Sequence, residues 1–189
     1  MDEKLHQTIK EHQQLVLDTA KNVDDVAFCR LHAILGLCGE SAELMDAVSP
    51  SQSLDKLIDE TGDVCWYAQL LSLTFFTERK SSLASFEDCI MDDVQFSVYY
   101  YKIASEIQII SGNMADILKK HVCHGAPLKS HELCVLYLRL VERLNAMSLA
   151  IGSNLNDVLQ HNITKLRKRY PNGFSTQASI ERADEKTTE

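Results

Sequence analysis

Two pairs of acidic residues carry the clearest chemical signal in the sequence. Glu40 and Glu43 stand three positions apart, and so do Glu60 and Asp63. Residues at this spacing lie on the same face of an α-helix, one turn apart. Because sixteen residues that include Pro50 separate the two pairs, a helical hairpin across this break would bring all four carboxylates into one patch.

The surroundings of these carboxylates indicate a divalent cation. Residues 34–38 before the first pair and 64–67 after the second are apolar, and carboxylates on half-buried faces repel one another unless a positive charge compensates them. Mg²⁺ takes oxygen ligands and is often shared with substrate phosphates, and two such ions can stabilise both oxygens of a phosphoryl displacement. The simpler alternative is a pair of solvated acidic helix faces, which are common.

A basic segment near the C-terminus offers the complementary charge. Four of the 19 lysines and arginines fall between positions 165 and 169. On a helix, Asn162, Lys165 and Arg169 share one face, where Lys would act as a point charge and Arg as a two-pronged donor to phosphate oxygens. The alternative is a basic last turn that complements the helix dipole.

The elements that would position these residues are predicted to be helices. The chain has 7 glycines and 3 prolines among 189 residues, which indicates too few turns for a β-sandwich or barrel, and its apolar residues recur at steps of three and four. We predict an all-α bundle in a single domain, residues 1–174, followed by a polar, frayed tail at 175–189. The six predicted helices cover residues 3–21, 25–48, 53–78, 86–122, 130–151 and 155–169.

Composition argues against several classes of function. The net charge is −8, and such a chain lacks the basic surface that nucleic-acid binding needs. No apolar run reaches the roughly 18 residues of a membrane span, and the N-terminal residues do not form a secretion signal. We therefore expect a cytoplasmic protein that binds neither nucleic acid nor membrane. The six cysteines include no Cys-x-x-Cys pair and are expected to be reduced.

Taken together, the motifs resemble the all-α NTP pyrophosphohydrolase superfamily, the MazG-like and dimeric-dUTPase-like enzymes. The family pattern is Glu-x-x-Glu, a short gap and Glu-x-x-Asp, which this chain carries within residues 36–44 and 59–67. Many members end in Asn-x-x-Lys-Leu-x-x-Arg-Tyr-Pro-x-Gly-Phe, which residues 162–174 match throughout. The resemblance extends from about Gln13 to Phe174.

The resemblance implies a Mg²⁺-dependent hydrolase, with Mn²⁺ expected to substitute. Such an enzyme converts a ribo- or deoxynucleoside triphosphate to the monophosphate and diphosphate, in nucleotide-pool control or house-cleaning, and works as a homodimer or homotetramer. The implied metal-binding and catalytic residues are Glu40, Glu43, Glu60 and Asp63. The implied substrate-binding residues are Asn162, Lys165 and Arg169 for the phosphates, with Trp66 and Tyr67 for the nucleoside.

The middle of the chain departs from the family. The stretch between the second acidic pair and the C-terminal motif is longer than in compact members, and the two lysines that many relatives carry soon after the first pair are replaced by other residues. Residues 112–118 weakly resemble residues 39–45, as in a degenerate internal duplication of a MazG-like unit, and Lys119 and Lys120 follow them. Lys119 and Lys120 are therefore further candidates for substrate binding in a composite site.

Two other functions stay open at the level of sequence. A non-catalytic helical module would bind nucleotide or oligomerise, with the aromatic run at 96–101 as an interface. A zinc site is the second alternative, because the ligand types suit zinc although their spacing fits no standard pattern. Its candidate ligands are His121, Cys123, His124, His131 and Cys134.

Overall fold

The computed structural model of the chain is helical throughout its described part. It describes residues 3–22, 24–49, 51–75, 100–182 and 184. Of these residues 83% are helical, in seven helices and without a strand. The prediction of an all-α bundle is therefore confirmed. None of the described helices contains an apolar stretch long enough to cross a membrane.

Six of the helices correspond to the predicted ones, with ends that differ by a few residues. Residues 86–99 of the predicted fourth helix, the end of the predicted third helix and most of the aromatic run at 96–101 lie outside the described residues. The helices are α1 (Glu3–Thr19), α2 (Val26–Ala47), α3 (Leu54–Phe75), α4 (Tyr100–His124), α5 (Ser130–Ala150), α6 (Leu155–Arg169) and α7 (Thr176–Glu181).

Helices α2 and α3 form the expected hairpin. The carboxylate of Asp25 caps α2 by accepting a hydrogen bond from the Phe28 amide at 3.0 Å, and the Ser53 hydroxyl accepts one from the Lys56 amide at 3.2 Å near the start of α3. Such caps satisfy amides that have no partner within the helix. The hairpin places the two acidic pairs on facing helices.

Helix α6 lies against α1 and α3 and brings the basic segment to the hairpin. Gly152 ends α5 with a φ of +73°, and the Asn154 side chain caps α6 by accepting from the Asp157 amide at 3.0 Å. The apolar face of α6, which includes Val158 and Leu159, is buried. Lys165 on the polar face of α6 contacts Asp59 and Asp63 of α3, so the basic segment meets the second acidic pair.

The tail contains a short helix that sequence reasoning did not expect. Residues 175–189 are predicted to form a polar, frayed tail, and within its described part Thr176–Glu181 form α7. The Ser175 hydroxyl caps this helix by accepting from the Ala178 amide at 3.0 Å, and Ser179 shares a hydrogen bond of 2.9 Å with the Tyr170 hydroxyl. A helix this short is unstable in isolation, so contacts with the rest of the chain hold it.

Candidate metal and phosphate site

Three of the four predicted carboxylates converge. Glu40 on α2 and Glu60 and Asp63 on α3 each offer an oxygen, and these oxygens lie within 4.8 Å of one another. Glu43 lines the same cavity without joining the cluster. The hairpin thus brings the four residues to one cavity of about 280 Å³.

Glu60 has a buried carboxylate oxygen that could serve as a metal ligand. Its side chain is 2% exposed, and Oε1 pairs with the Lys56 ammonium on the preceding turn. The other oxygen, Oε2, is buried without a hydrogen-bond partner. Burial raises the pKa of Glu60 although Lys56 opposes the effect. A carboxylate oxygen enclosed in this way is unfavourable unless a cation reaches it.

The remaining carboxylates of the cluster also resist ionisation. Burial, followed by the negative charges of Asp63 and Glu43, raises the pKa of Glu40 to about 8. Burial likewise raises the pKa of Asp63, with the Lys165 ammonium acting in the opposite direction. Lys56 and Lys165 compensate this group of oxygen donors only in part, and such a group suits a hard divalent cation.

Lys165 lies across the cavity from α2 and is held by two aspartates. Its Nζ is 2.7 Å from Asp59 Oδ1 and 2.6 Å from Asp63 Oδ2, and the side chain is 10% exposed. Burial opposes the ionisation of Asp59, but hydrogen bonds from His161 and the charge of Lys165 outweigh it and hold the pKa of Asp59 below its usual range. Sequence reasoning did not select Asp59, although its four-residue spacing from Asp63 places both on one helical face.

Asn162, predicted to bind phosphate, is buried beside Asp63 and is not among the residues that line the cavity. Its side chain is fully buried, Nδ2 donates to Asp63 Oδ1 at 2.8 Å, and Oδ1 lies 2.9 Å from His12 Nε2. An ionised Asp63 can only accept, so the Asn162 carbonyl faces His12 and His12 Nε2 is the donor. Asn162 therefore orients a cluster carboxylate in this structure. Gly62 makes this approach possible, because a Cβ there would lie 3.0 Å from Asn162 Cβ.

Arg169 lines the same cavity and is occupied by the tail. Its Nε and one terminal nitrogen donate to the two carboxylate oxygens of Asp184 in a forked arrangement. The Asp184 side chain is 4% exposed, and Arg169 holds the pKa of that carboxyl below its usual range against the effect of burial. The fork has the geometry with which an arginine also binds phosphate.

The aromatic residues Trp66 and Tyr67 follow the second acidic pair on α3 and line the same cavity. Trp66 and Tyr67 contact each other edge to face, with ring centroids 4.7 Å apart, and Trp66 Nε1 donates to Thr19 Oγ1 at 3.1 Å. The ring of Tyr67 lies against the backbone of Gly36, where a Cβ would be 2.0 Å from the ring. Burial, then the charge of Glu40, raises the pKa of Tyr67 to about 12.

Lys119 and Lys120 are not brought to this cavity. Both pair with Asp116 on their own helix, at 2.5 and 2.6 Å, and they line two other depressions. The composite site that would add them to the acidic cluster is therefore not assembled within one chain. The physical reason is that α4 packs against α2 and α5, whereas Lys165, which does reach the cluster, lies on α6, and α6 packs against α1 and α3.

The proposed zinc ligands do not converge either. Within the described residues, the acidic cluster is the one group of three or more potential ligands close enough to hold a metal ion. His121 instead places Nδ1 2.8 Å from the carbonyl oxygen of Ala126, in the turn after α4. Zinc coordination by this part of the chain has no geometric support.

Comparisons of the chain with protein-family models, with curated proteins and with solved structures found no match. The resemblance of residues 36–67 and 162–174 to the NTP pyrophosphohydrolases therefore stays a prediction. The function has to be inferred from the residues that line the cavity and from their chemistry.

Proposed function

We propose that the protein is a divalent-cation-dependent hydrolase that converts a nucleoside triphosphate and water to the nucleoside monophosphate and diphosphate. One observation carries this proposal: a cluster of three carboxylates shares a cavity with two lysines, two arginines and aromatic side chains. Oxygen donors for a metal, cations for phosphate and rings for a nucleoside are thus close together. The motifs that resemble the NTP pyrophosphohydrolases contribute these same residues.

The donor set fits Mg²⁺, with Mn²⁺ as a substitute. The potential ligands are all carboxylate oxygens, which Mg²⁺ prefers, and Glu60 Oε2 is buried without a partner. When bound, such a cation lowers the pKa of a water molecule and neutralises charge on the phosphates. Glu40, Glu60 and Asp63 are the residues that would hold it, and Glu43 lines the cavity beside them.

The cationic wall would bind the phosphate chain. Lys165 can follow a phosphate because its flexible stem ends in a compact charge, and it already reaches into the cavity as far as Asp63. Arg169 would exchange the carboxylate of Asp184 for phosphate oxygens of similar geometry. Both residues would then stabilise the negative charge that the leaving diphosphate acquires.

The reaction requires a water molecule positioned in line with a phosphoanhydride bond. A carboxylate of the cluster orients this water and accepts its proton as a general base. The new bond joins the water oxygen to phosphorus, and the bond from that phosphorus to the bridging oxygen breaks. Diphosphate leaves with the electron pair, and the nucleoside monophosphate remains.

Diphosphate release from a panel of ribo- and deoxynucleoside triphosphates tests the proposal. We expect release with Mg²⁺ or Mn²⁺ and none with EDTA. Glu60→Gln and Asp63→Asn should each lower kcat by at least 100-fold, about 2.7 kcal/mol of barrier, while the far-UV circular dichroism stays helical. Asp116→Asn is the matched control, because this exposed carboxylate pairs with lysines outside the cavity.

The outcomes separate the hydrolase from the binding module. Metal-dependent release that both cluster variants abolish would support the proposal. Wild-type rates in Glu60→Gln and Asp63→Asn would contradict the metal assignment. A folded protein that binds nucleotide and metal but releases no diphosphate would favour the non-catalytic module.

A further inference from the structure

The aromatic side of the cavity contains a polar residue to which the proposed reaction gives no role. His32 lies on α2, eight residues before Glu40, and lines the same cavity. Eight residues correspond to a rise of about 12 Å along the helix axis. His32 is consequently placed well away from the carboxylates, on the side where the part of the substrate beyond the phosphates would lie.

His32 completes a cluster of three rings. Its ring centroid is 5.8 Å from that of Trp66 and 5.5 Å from that of Tyr67, and both contacts are edge to face. Edge-to-face contacts of this kind fix the orientation of a ring. The cluster thus offers a rigid, largely apolar surface on which a planar group can pack.

Among the described residues, no group forms a hydrogen bond with a nitrogen of His32. Nδ1 is buried without a hydrogen-bond partner, whereas the indole nitrogen of Trp66 already donates to Thr19. Burial, together with the charge of Lys21, lowers the pKa of His32, so the ring is neutral near pH 7 and has one donor and one acceptor nitrogen. With Nδ1 enclosed, Nε2 is the nitrogen through which His32 can reach a ligand.

We propose that His32 is a specificity-determining residue that reads the nucleobase: the base packs against the ring cluster, and His32 Nε2–H donates to an acceptor on its edge. This inference rests on the proposed function, since it assigns the part of the substrate that the carboxylates and cations do not contact. Every nucleobase carries a carbonyl oxygen or an acceptor ring nitrogen, so the preferred base is the one that directs such an acceptor at His32 when its phosphates are bound.

A hydrogen bond from His32 to the base should affect the selectivity among nucleotides and not the rate of the chemical step. A hydrogen bond of this kind changes binding by roughly 3- to 10-fold, and a buried polar group left unpaired by the wrong base increases the discrimination further. The phosphates contact other residues. The loss of His32 should therefore raise KM for the preferred nucleotide and leave the binding of a ligand without a base unchanged.

The test compares His32→Phe, which keeps an aromatic ring, with His32→Gln, which keeps a hydrogen-bond donor. The measurements are kcat and KM across the nucleotide panel and the inhibition constant of inorganic triphosphate, which has no base. His131→Phe is the matched control, because His131 lines a different depression.

We expect His32→Phe to raise KM for the preferred nucleotide by roughly 3- to 10-fold, to flatten the ranking of bases and to leave inhibition by inorganic triphosphate within about 2-fold of wild type. His32→Gln should restore part of the ranking. An unchanged ranking in His32→Phe, or an equal loss for inorganic triphosphate, would overturn the inference.

Calorimetric binding of the same nucleotides keeps this inference distinct from the proposed reaction. If the wild-type protein binds nucleotides with a base preference but hydrolyses none, the reaction fails, and loss of that preference in His32→Phe still supports the role of His32. If the wild-type protein hydrolyses nucleotides and His32→Phe keeps the ranking, only the role of His32 fails. A wild-type protein that binds no nucleotide contradicts both.

Discussion

Glu40 should lower the stability of the metal-free protein at alkaline pH. The pKa of a glutamate is ordinarily about 4.5, and burial with the charges of Asp63 and Glu43 raises that of Glu40 to about 8 in the folded chain. Between these pH values the folded state binds more protons than the unfolded state. The free energy of unfolding is therefore highest below the lower pKa, falls as pH rises between the two pKa values, and stays reduced above the higher one.

The structure bounds the size of this effect. At about 1.36 kcal/mol per pKa unit, the interval from 4.5 to about 8 corresponds to at most about 5 kcal/mol. Glu40 is only half-buried, so solvent screens its neighbours and we expect about 1–3 kcal/mol. For a chain of this length each kcal/mol shifts Tm by about 2–4 °C. Glu40→Gln should therefore unfold roughly 2–12 °C above wild type at pH 9 and close to wild type at pH 5.

Thermal unfolding followed by circular dichroism, in EDTA from pH 5 to pH 9, measures this difference. Asp59→Asn is the matched control from the same cavity. Because Lys165 and His161 hold the pKa of Asp59 below its usual range, its ionised form stabilises the fold, and the variant should unfold below wild type at pH 7 and above. The reasoning is refuted if Glu40→Gln gives no rise in Tm at pH 9, or gives the same rise at pH 5.

Two further predictions concern the tail and the glycines of α2. Asp184→Asn should release Arg169 from its forked ion pair, so steady-state kinetics should show a KM for triphosphate lowered several-fold with kcat unchanged; an unaltered or raised KM would argue against competition by the tail. Gly36→Ala should lower Tm by roughly 2–10 °C, because the new Cβ would lie 2.0 Å from the Tyr67 ring. Gly39→Ala should instead raise Tm slightly, since nothing lies within 4 Å of its Cβ and alanine favours the helix; equal effects of the two substitutions would contradict this assignment.

The acidic cluster could be predicted because its geometry is almost wholly local. The three-residue spacing of Glu60 and Asp63 determines their shared face once α3 forms. The break around residue 50, between two segments with helical periodicity, predicts a hairpin, and a hairpin places Glu40 opposite them. Each step depends on residues within about 25 positions of one another.

The role of Asn162 could not be predicted in this way. Its position on a helical face was clear, but its partners come from distant parts of the chain: Asp63 is 99 positions away and His12 is 150. Periodicity gives the direction of a side chain and not the atom that it meets. Lys165 was assigned to phosphate for the same reason, while in the folded chain it also neutralises Asp59 and Asp63.

The helix in the tail could not be predicted either, because its order depends on distant contacts. Residues 176–181 have little apolar surface of their own, and local pattern predicts no stable helix. Their order depends on tertiary contacts, between Ser179 and the Tyr170 hydroxyl and between Asp184 and Arg169. Nothing in the sequence around α7 identifies these partners.

The distribution of charge in the cavity indicates how metal and substrate binding would be coupled. Lys165 compensates Asp59 and Asp63, and Lys56 compensates one oxygen of Glu60. The side that faces α2, where Glu40 has its raised pKa, has the weaker compensation. The positive charge of a divalent cation bound near Glu40 would stabilise the ionised carboxylates and weaken the ion pair between Asp63 and Lys165. Lys165 would then be free to bind a phosphate. Saturating Mg²⁺ should accordingly raise the Tm of the wild type more than that of Glu40→Gln.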